Sequence, residues 1–163
     1  MGSTKKEKDY YPGLKALLEG ILNPTFSEFH VEITATKTFG NKLKAEIPEH
    51  RNLIFHFLKE APPDITGFIK QQYTTDFLVA EFKKETLRLD DIYQARKYAE
   101  LFDAKYALLI TTEEIPEELK RLCKIVYSLL SLPAYRKLTL VQFDEHREQF
   151  VDWFEENPFL MKS

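Results

Sequence analysis

The chain has 163 residues and a mass of 19.2 kDa, which fits one domain of ordinary size. Hydrophobic residues make up 44% of it and aromatic residues 13%, so wholesale disorder is excluded. The formal net charge of −3 disfavours a nucleic-acid packaging protein, but it allows an enzyme that contacts nucleic acid at one local cleft.

The chain starts with a polar segment that leads into no apolar stretch of the kind a signal peptide needs. We expect a disordered N-terminal tail over residues 1–9 and a single domain over residues 10–163. The longest apolar runs are too short to cross a bilayer, and the single cysteine, Cys123, cannot form an internal disulfide. These features predict a soluble cytoplasmic protein with no membrane contact.

The first third of the chain predicts a helix, a β-hairpin and one ambiguous segment. Leucine and isoleucine at helical spacing predict a helix from about Pro12 to Asn23-Pro24. Residues 29–36 alternate between apolar and polar and predict a strand, with residues 43–47 as its returning partner. Residues 48–60 fit a helix or a buried strand, and the proline at their start favours the helix.

The rest of the chain predicts alternating strands and helices. In chain order these are strands over residues 64–70 and 76–84, a helix over 91–102, a strand over 105–111, and helices over 116–132 and 143–156. This order indicates an α/β domain with a mixed β-sheet flanked by helices.

The strand over residues 77–83 carries charge at its C-terminal end. Residues two apart share a face of a strand, so Glu81 and Lys83 lie side by side. Both faces of this strand begin apolar, as in a central strand, where charges are costly to bury unless they are paired or open into a cleft. The two residues alone are typical of a same-face ion pair at the point where a strand reaches water.

Asp64 opens the preceding predicted strand and lies 17 residues before Glu81. If the two strands are antiparallel neighbours, Asp64 faces Glu81 and Lys83 across the ladder. Two carboxylates are hard ligands for Mg²⁺, which polarises a phosphate and lowers the pKa of a bound water, while a lysine neutralises transition-state charge. The set suits metal-assisted phosphodiester cleavage. By itself, Asp64 is equally typical of a turn residue after Pro62-Pro63.

Pro63-Asp64 followed by Glu81-Phe82-Lys83 resembles the signature of the PD-(D/E)XK nuclease superfamily, which has the restriction-endonuclease-like fold. The next predicted helix carries Gln94 and Tyr98, which is similar to the Gln-x-x-x-Tyr pattern of some branches. A buried strand follows, as that fold requires. The similarity covers residues 60–111, about a third of the chain.

The resemblance implies a Mg²⁺-dependent (or Mn²⁺-dependent) deoxyribonuclease that acts on DNA as an endonuclease. Asp64 and Glu81 would be catalytic metal ligands, the Phe82 backbone carbonyl a third ligand, and Lys83 the catalytic lysine. Supporting or DNA-contacting residues would be Gln94, Tyr98, Lys84 and, from the first helix, Glu19. Because so small a chain has limited surface with which to grip a duplex, we also expect a homodimer.

Other interpretations stay open. The chain could be a catalytically inactive member of the same fold that binds nucleic acid or protein, or an unrelated α/β interaction module. Gln94 also stands three residues after Asp91, a spacing that fits a capping box at a helix start. Glu19 falls well away from the apolar stripe of its helix, which favours a solvated position. The histidine spacing and the lack of a glycine-rich loop indicate neither a zinc enzyme nor a nucleotide-binding protein.

Overall fold

The computed structural model describes residues 5–160, which form a mixed β-sheet with helices on both faces. The helices are Glu7–Leu22 (α1), Asn41–Glu46 (α2), Leu53–Phe57 (α3), Leu89–Phe102 (α4) and Glu117–Ile125 (α5), with a 3₁₀ turn at Glu49–Arg51. The strands are Phe29–Ile33 (β1), Ile65–Lys70 (β2), Thr75–Lys83 (β3), Tyr106–Thr111 (β4), Ser131–Leu132 (β5), Arg136–Asp144 (β6) and Gln149–Trp153 (β7). The predicted α/β architecture with a mixed sheet flanked by helices is confirmed.

The sheet combines an antiparallel half with a parallel half. Its order is β1-β2-β3-β4-β6-β5, and β7 also pairs with β6. Strands β1, β2 and β3 are antiparallel neighbours, whereas β3, β4 and β6 run parallel. The carboxyl ends of β3, β4 and β6 therefore lie at one edge of the sheet, where the start of β2 also lies.

Each face of the sheet has its own apolar core. Helix α1 covers one face, and its Leu14 and Leu18 are fully buried against the sheet. Helix α4 covers the other face together with α2, α3 and α5, and it buries Ile92 and Phe102 there. Strand β3 lies between the two cores, so its apolar residues are covered on both sides.

Helix α1 begins at Glu7, five residues before the predicted start at Pro12. The side chain of Asp9 accepts the N–H of Lys6 at 2.9 Å, which caps the first turn. Burial of the two tyrosines that follow then holds this turn against the sheet. Residues 7–9 of the predicted tail are thus helical, and residues 1–4 lie outside the described residues.

The hairpin predicted over residues 29–47 is wrong in its second strand. Residues 41–46 form helix α2, and β1 pairs with β2 instead, with Ile33 opposite Ile65. Leu43 and Ile47 are both buried and lie four residues apart. Residues at this spacing share a face in a helix and also in a strand, so the pattern did not distinguish the two. The helix predicted within residues 48–60 is confirmed as a 3₁₀ turn and α3.

The two C-terminal helices were predicted too long or of the wrong type. Helix α5 ends at Ile125, and the segment predicted as an amphipathic helix over residues 143–156 is the end of β6, a turn and β7. The aromatic residues that suggested a helical face pair across the hairpin instead, with Phe143 opposite Phe150. The Asp144 carboxylate accepts the N–H groups of His146 and Arg147 and closes the turn.

Candidate active site

The ladder between β2 and β3 brings Asp64 and Glu81 together. Ile65 lies opposite Ala80, which places the preceding Asp64 opposite Glu81. The backbone N–H of Asp64 donates to Glu81 Oε1 at 2.9 Å, and the N–H of Phe82 donates to Asp64 Oδ2 at 2.8 Å. Each carboxylate thus continues the ladder past its last backbone pair, which fixes the position of both side chains.

This carboxylate pair is shielded from water. Glu81 is only 5% exposed, and Asp64 is partly buried. Burial raises the pKa of both carboxyls, and the neighbouring Asp64 charge raises the pKa of Glu81 further. Two carboxyl groups this close and this buried need a proton or a cation between them.

Helix α1 contributes two residues that the sequence pattern did not single out. The Tyr11 hydroxyl donates to Asp64 Oδ1 at 2.9 Å. Burial and the Asp64 charge raise the pKa of Tyr11, so it remains a donor. Glu7 lies one turn earlier, where burial raises its pKa and the nearby Lys83 charge opposes that rise. The available signal was the four-residue spacing of Glu7 and Tyr11, which puts them on one helix face.

Lys83 extends beside the carboxylates from the end of β3. Its charge opposes the effect of burial on the pKa of both Asp64 and Glu81. The ammonium lies 3.9 Å from Asp91 Oδ1, and the Lys83 side chain keeps 28% exposure. Lys83 therefore joins the site through Asp91 of α4, and the same-face ion pair with Glu81 that the sequence suggested is replaced by this contact.

The start of α4 differs from the predicted capping box. Arg88 is the N-cap residue, and its backbone N–H donates to Asp91 Oδ2 at 2.8 Å. Asp91 thus occupies the third helical position that the capping interpretation assigned to Gln94, so that interpretation is wrong. The helix therefore starts at Leu89, two residues before the predicted start at Asp91, and the preceding Arg88 has an extended backbone.

Gln94 and Tyr98 form a hydrogen-bonded pair at the border of the site. The side-chain amide of Gln94 donates to the Tyr98 hydroxyl at 3.1 Å. Tyr98 is almost completely buried, and burial together with the Glu81 charge raises its pKa to about 12. The structure therefore places both residues beside the carboxylate pair, on the α4 side.

The remaining predicted residues occupy three different positions. In a strand the N–H and C=O of one residue point to the same side, so the Phe82 carbonyl faces the β2 side of β3, as its N–H does. Lys84 Nζ donates to the backbone oxygen of Lys5 and ties the end of β3 to the start of α1. Glu19 pairs with Lys15 on the surface, about 12 Å along α1 from Tyr11, and does not join the site.

The donor set at Asp64 and Glu81 fits a hard divalent cation in its chemistry. Each Asp64 oxygen accepts one hydrogen bond, which leaves a lone pair on each for a ligand. Carboxylate and backbone carbonyl oxygens are the ligands that Mg²⁺ prefers, with water in its remaining positions. Over residues 5–160 no group of three or more His, Cys, Asp or Glu side chains is arranged to hold a metal.

Comparisons with known proteins leave the family open. A scan against protein-family models and searches of curated proteins and of solved structures gave no match. Within the described part of the chain, no helix is both long enough and apolar enough to span a membrane.

Proposed function

We propose that this protein is a metal-dependent nuclease of the PD-(D/E)XK superfamily that hydrolyses phosphodiester bonds in DNA, acting as an endonuclease in the cytoplasm. The observation that carries the proposal is the convergence of Asp64 and Glu81, whose side chains meet across the β2–β3 ladder in a buried setting. A central strand rarely buries a glutamate without a chemical reason, because the desolvation of a carboxylate is expensive.

Each residue of the site has a role in this proposal. Asp64, Glu81 and the Phe82 carbonyl hold Mg²⁺ or Mn²⁺, which when bound polarises the phosphate and activates water. Lys83 neutralises the negative charge that develops on the phosphate during attack. Asp91 holds the Lys83 ammonium at the border of the site and leaves it partly exposed to a substrate.

The fold around the site supports the same proposal. Strands β2 and β3, helix α4 and strand β4 follow in the order that the family resemblance implies for residues 60–111. The charged residues lie at the sheet edge where the parallel strands β3, β4 and β6 end. Ligand sites in α/β sheets form preferentially at such carboxyl ends.

Two other functions predict different results. An unrelated interaction module, with Asp64 and Glu81 on a flat exposed surface, is disfavoured by the 5% exposure of Glu81. A catalytically inactive member of the fold would keep this geometry and bind DNA without cleaving it.

The decisive experiment is incubation with supercoiled plasmid, linear duplex and branched DNA, with Mg²⁺, with Mn²⁺ or with EDTA. The wild type should cleave only with metal, and Asp64→Asn should not cleave. Millimolar Mn²⁺ should raise the melting temperature of the wild type but not that of Asp64→Asn. DNA binding without cleavage would assign the inactive function. Equal Mn²⁺ shifts in both proteins, or no metal-dependent cleavage and no DNA binding, would overturn the proposal.

A further inference from the structure

We infer that Tyr11 is a positioning residue that orients the Asp64 carboxylate for metal binding, an inference that rests on the proposed nuclease function. The Tyr11 hydroxyl donates to Asp64 Oδ1 at 2.9 Å, and this hydrogen bond links α1 directly to the carboxylate pair. The two residues are 53 positions apart, so the contact exists only in the folded chain.

Tyr11 completes a two-point hold on Asp64. Oδ2 accepts the Phe82 N–H at 2.8 Å, and Oδ1 accepts the Tyr11 hydroxyl at 2.9 Å. A single hydrogen bond would leave the carboxylate free to turn about its last side-chain bond, whereas two bonds from different directions fix its plane. With the plane fixed, the remaining lone pairs of both oxygens keep one direction, which is the condition for binding a cation together with Glu81.

The packing of α1 on the sheet fixes the position of Tyr11. Tyr11 is 9% exposed and lies in the same core as Leu14 and Leu18, which anchor α1 on the sheet. The neighbouring Tyr10 packs against Phe82, with ring centroids 4.8 Å apart. The hydroxyl is therefore set by rigid packing and does not depend on a mobile surface side chain.

Outer partners of metal-ligating carboxylates tune the affinity for the metal. Removal of such a hydrogen bond typically weakens metal binding about 10-fold to 100-fold. Tyr11→Phe removes the hydroxyl and keeps the ring, so the packing of α1 should persist. We expect its Mn²⁺ affinity to fall about 10-fold, with near-normal maximal cleavage once the metal is saturating.

The test compares Mn²⁺ binding by calorimetry and DNA cleavage across a Mn²⁺ series for the wild type and three variants. Tyr106→Phe is the matched control, because Tyr106 is a buried tyrosine that stacks on Phe159 at the far end of β4. Tyr11→His also removes the hydroxyl, because the shorter imidazole does not carry its N–H as far as Asp64 Oδ1, and it changes the packing as well. The inference predicts a shifted metal dependence for Tyr11→Phe, a shift at least as large for Tyr11→His and none for Tyr106→Phe.

The outcomes separate the inference from the proposed function. If the wild type neither binds Mn²⁺ nor cleaves DNA, the proposed function fails. If the wild type does both and Tyr11→Phe has the same metal dependence, the positioning role is overturned while the function stands. Equal weakening of Mn²⁺ binding in Tyr11→Phe and Tyr106→Phe, or loss of folding in Tyr11→Phe with normal Mn²⁺ affinity in Tyr11→His, would assign Tyr11 a packing role and also overturn the inference.

Discussion

Substitution of Glu81 by glutamine should stabilise the metal-free protein. Burial, with the nearby Asp64 charge, raises the pKa of Glu81 from 4.5 to about 9. At neutral pH the folded state therefore binds a proton that the unfolded state has released, and folding has to take that proton up. Glutamine is neutral in both states, and it keeps an oxygen for the Asp64 N–H.

The expected gain in the free energy of unfolding follows from the difference between the pKa values of Glu81 in the unfolded and folded states. Stability from this group is fully present below the unfolded pKa near 4.5, and it is lost progressively as pH rises to the folded pKa near 9. Each pH unit in that range corresponds to about 1.4 kcal/mol, which gives about 3 kcal/mol at pH 7. Because Glu81 and Asp64 titrate as a coupled pair, only part of this free energy belongs to Glu81, and we expect Glu81→Gln to gain about 2 kcal/mol.

Urea denaturation in EDTA at pH 5, 7 and 9 measures the effect. Glu81→Gln should match the wild type near pH 5 and exceed it increasingly at pH 7 and 9. Glu60→Gln is the control, because the Glu60 side chain is 87% exposed and its substitution should change stability by less than about 0.5 kcal/mol. A Glu81→Gln protein that is less stable than the wild type at pH 9, or a wild type with a flat profile, would refute the reasoning. With saturating Mn²⁺ the order should reverse, since only the wild type gains binding energy.

Three further predictions address the mechanism, the sheet and the assembly. Lys83→Ala should abolish cleavage while Mn²⁺ binding persists, and it should change stability by no more than about 1 kcal/mol. Lys83→Arg should restore little cleavage. Unchanged cleavage in Lys83→Ala would remove the lysine from the mechanism. Gly67→Ala should destabilise the protein by more than about 2 kcal/mol in urea denaturation, because the added carbon would lie 2.5 Å from the His30 backbone oxygen; a neutral effect would mean that β1 and β2 separate easily. Light scattering should give a dimer, twice the 19.2 kDa chain mass, and a monomer at high micromolar concentration would contradict this.

The part of the site that could be predicted from sequence lies in the central strands. Strands β2 and β3 have clear sequence patterns, because their apolar residues are buried on both faces of the sheet and a polar turn joins them. A short turn leaves little freedom of register, so the position of Asp64 opposite Glu81 follows from counting residues along the hairpin. The same holds for α4, whose helical spacing is regular over residues 89–102.

The contribution of α1 to the site could not be predicted in this way. Glu7 and Tyr11 meet the site only because leucines of α1 bury themselves on one face of the sheet. The helical pattern predicts that such a face is buried. It does not predict which face of the sheet the helix covers, or where along the sheet the helix lies. The family resemblance suggested Glu19 as the residue that this helix contributes, whereas packing places an earlier turn of the helix beside Asp64.

The α/β class, the central hairpin and the residue types at the end of β3 follow from the local sequence, because they depend on periodicity and short-range spacing. Whether a segment with an ambiguous pattern forms a helix or a strand depends on the partners that the folded chain offers it. Residues 41–46 became a helix because β2 took the place beside β1, and residues 149–153 became a strand because the edge of β6 was open for pairing. Apolar spacing of three to four residues is compatible with both a helix and a paired hairpin, and the available partner selects between them.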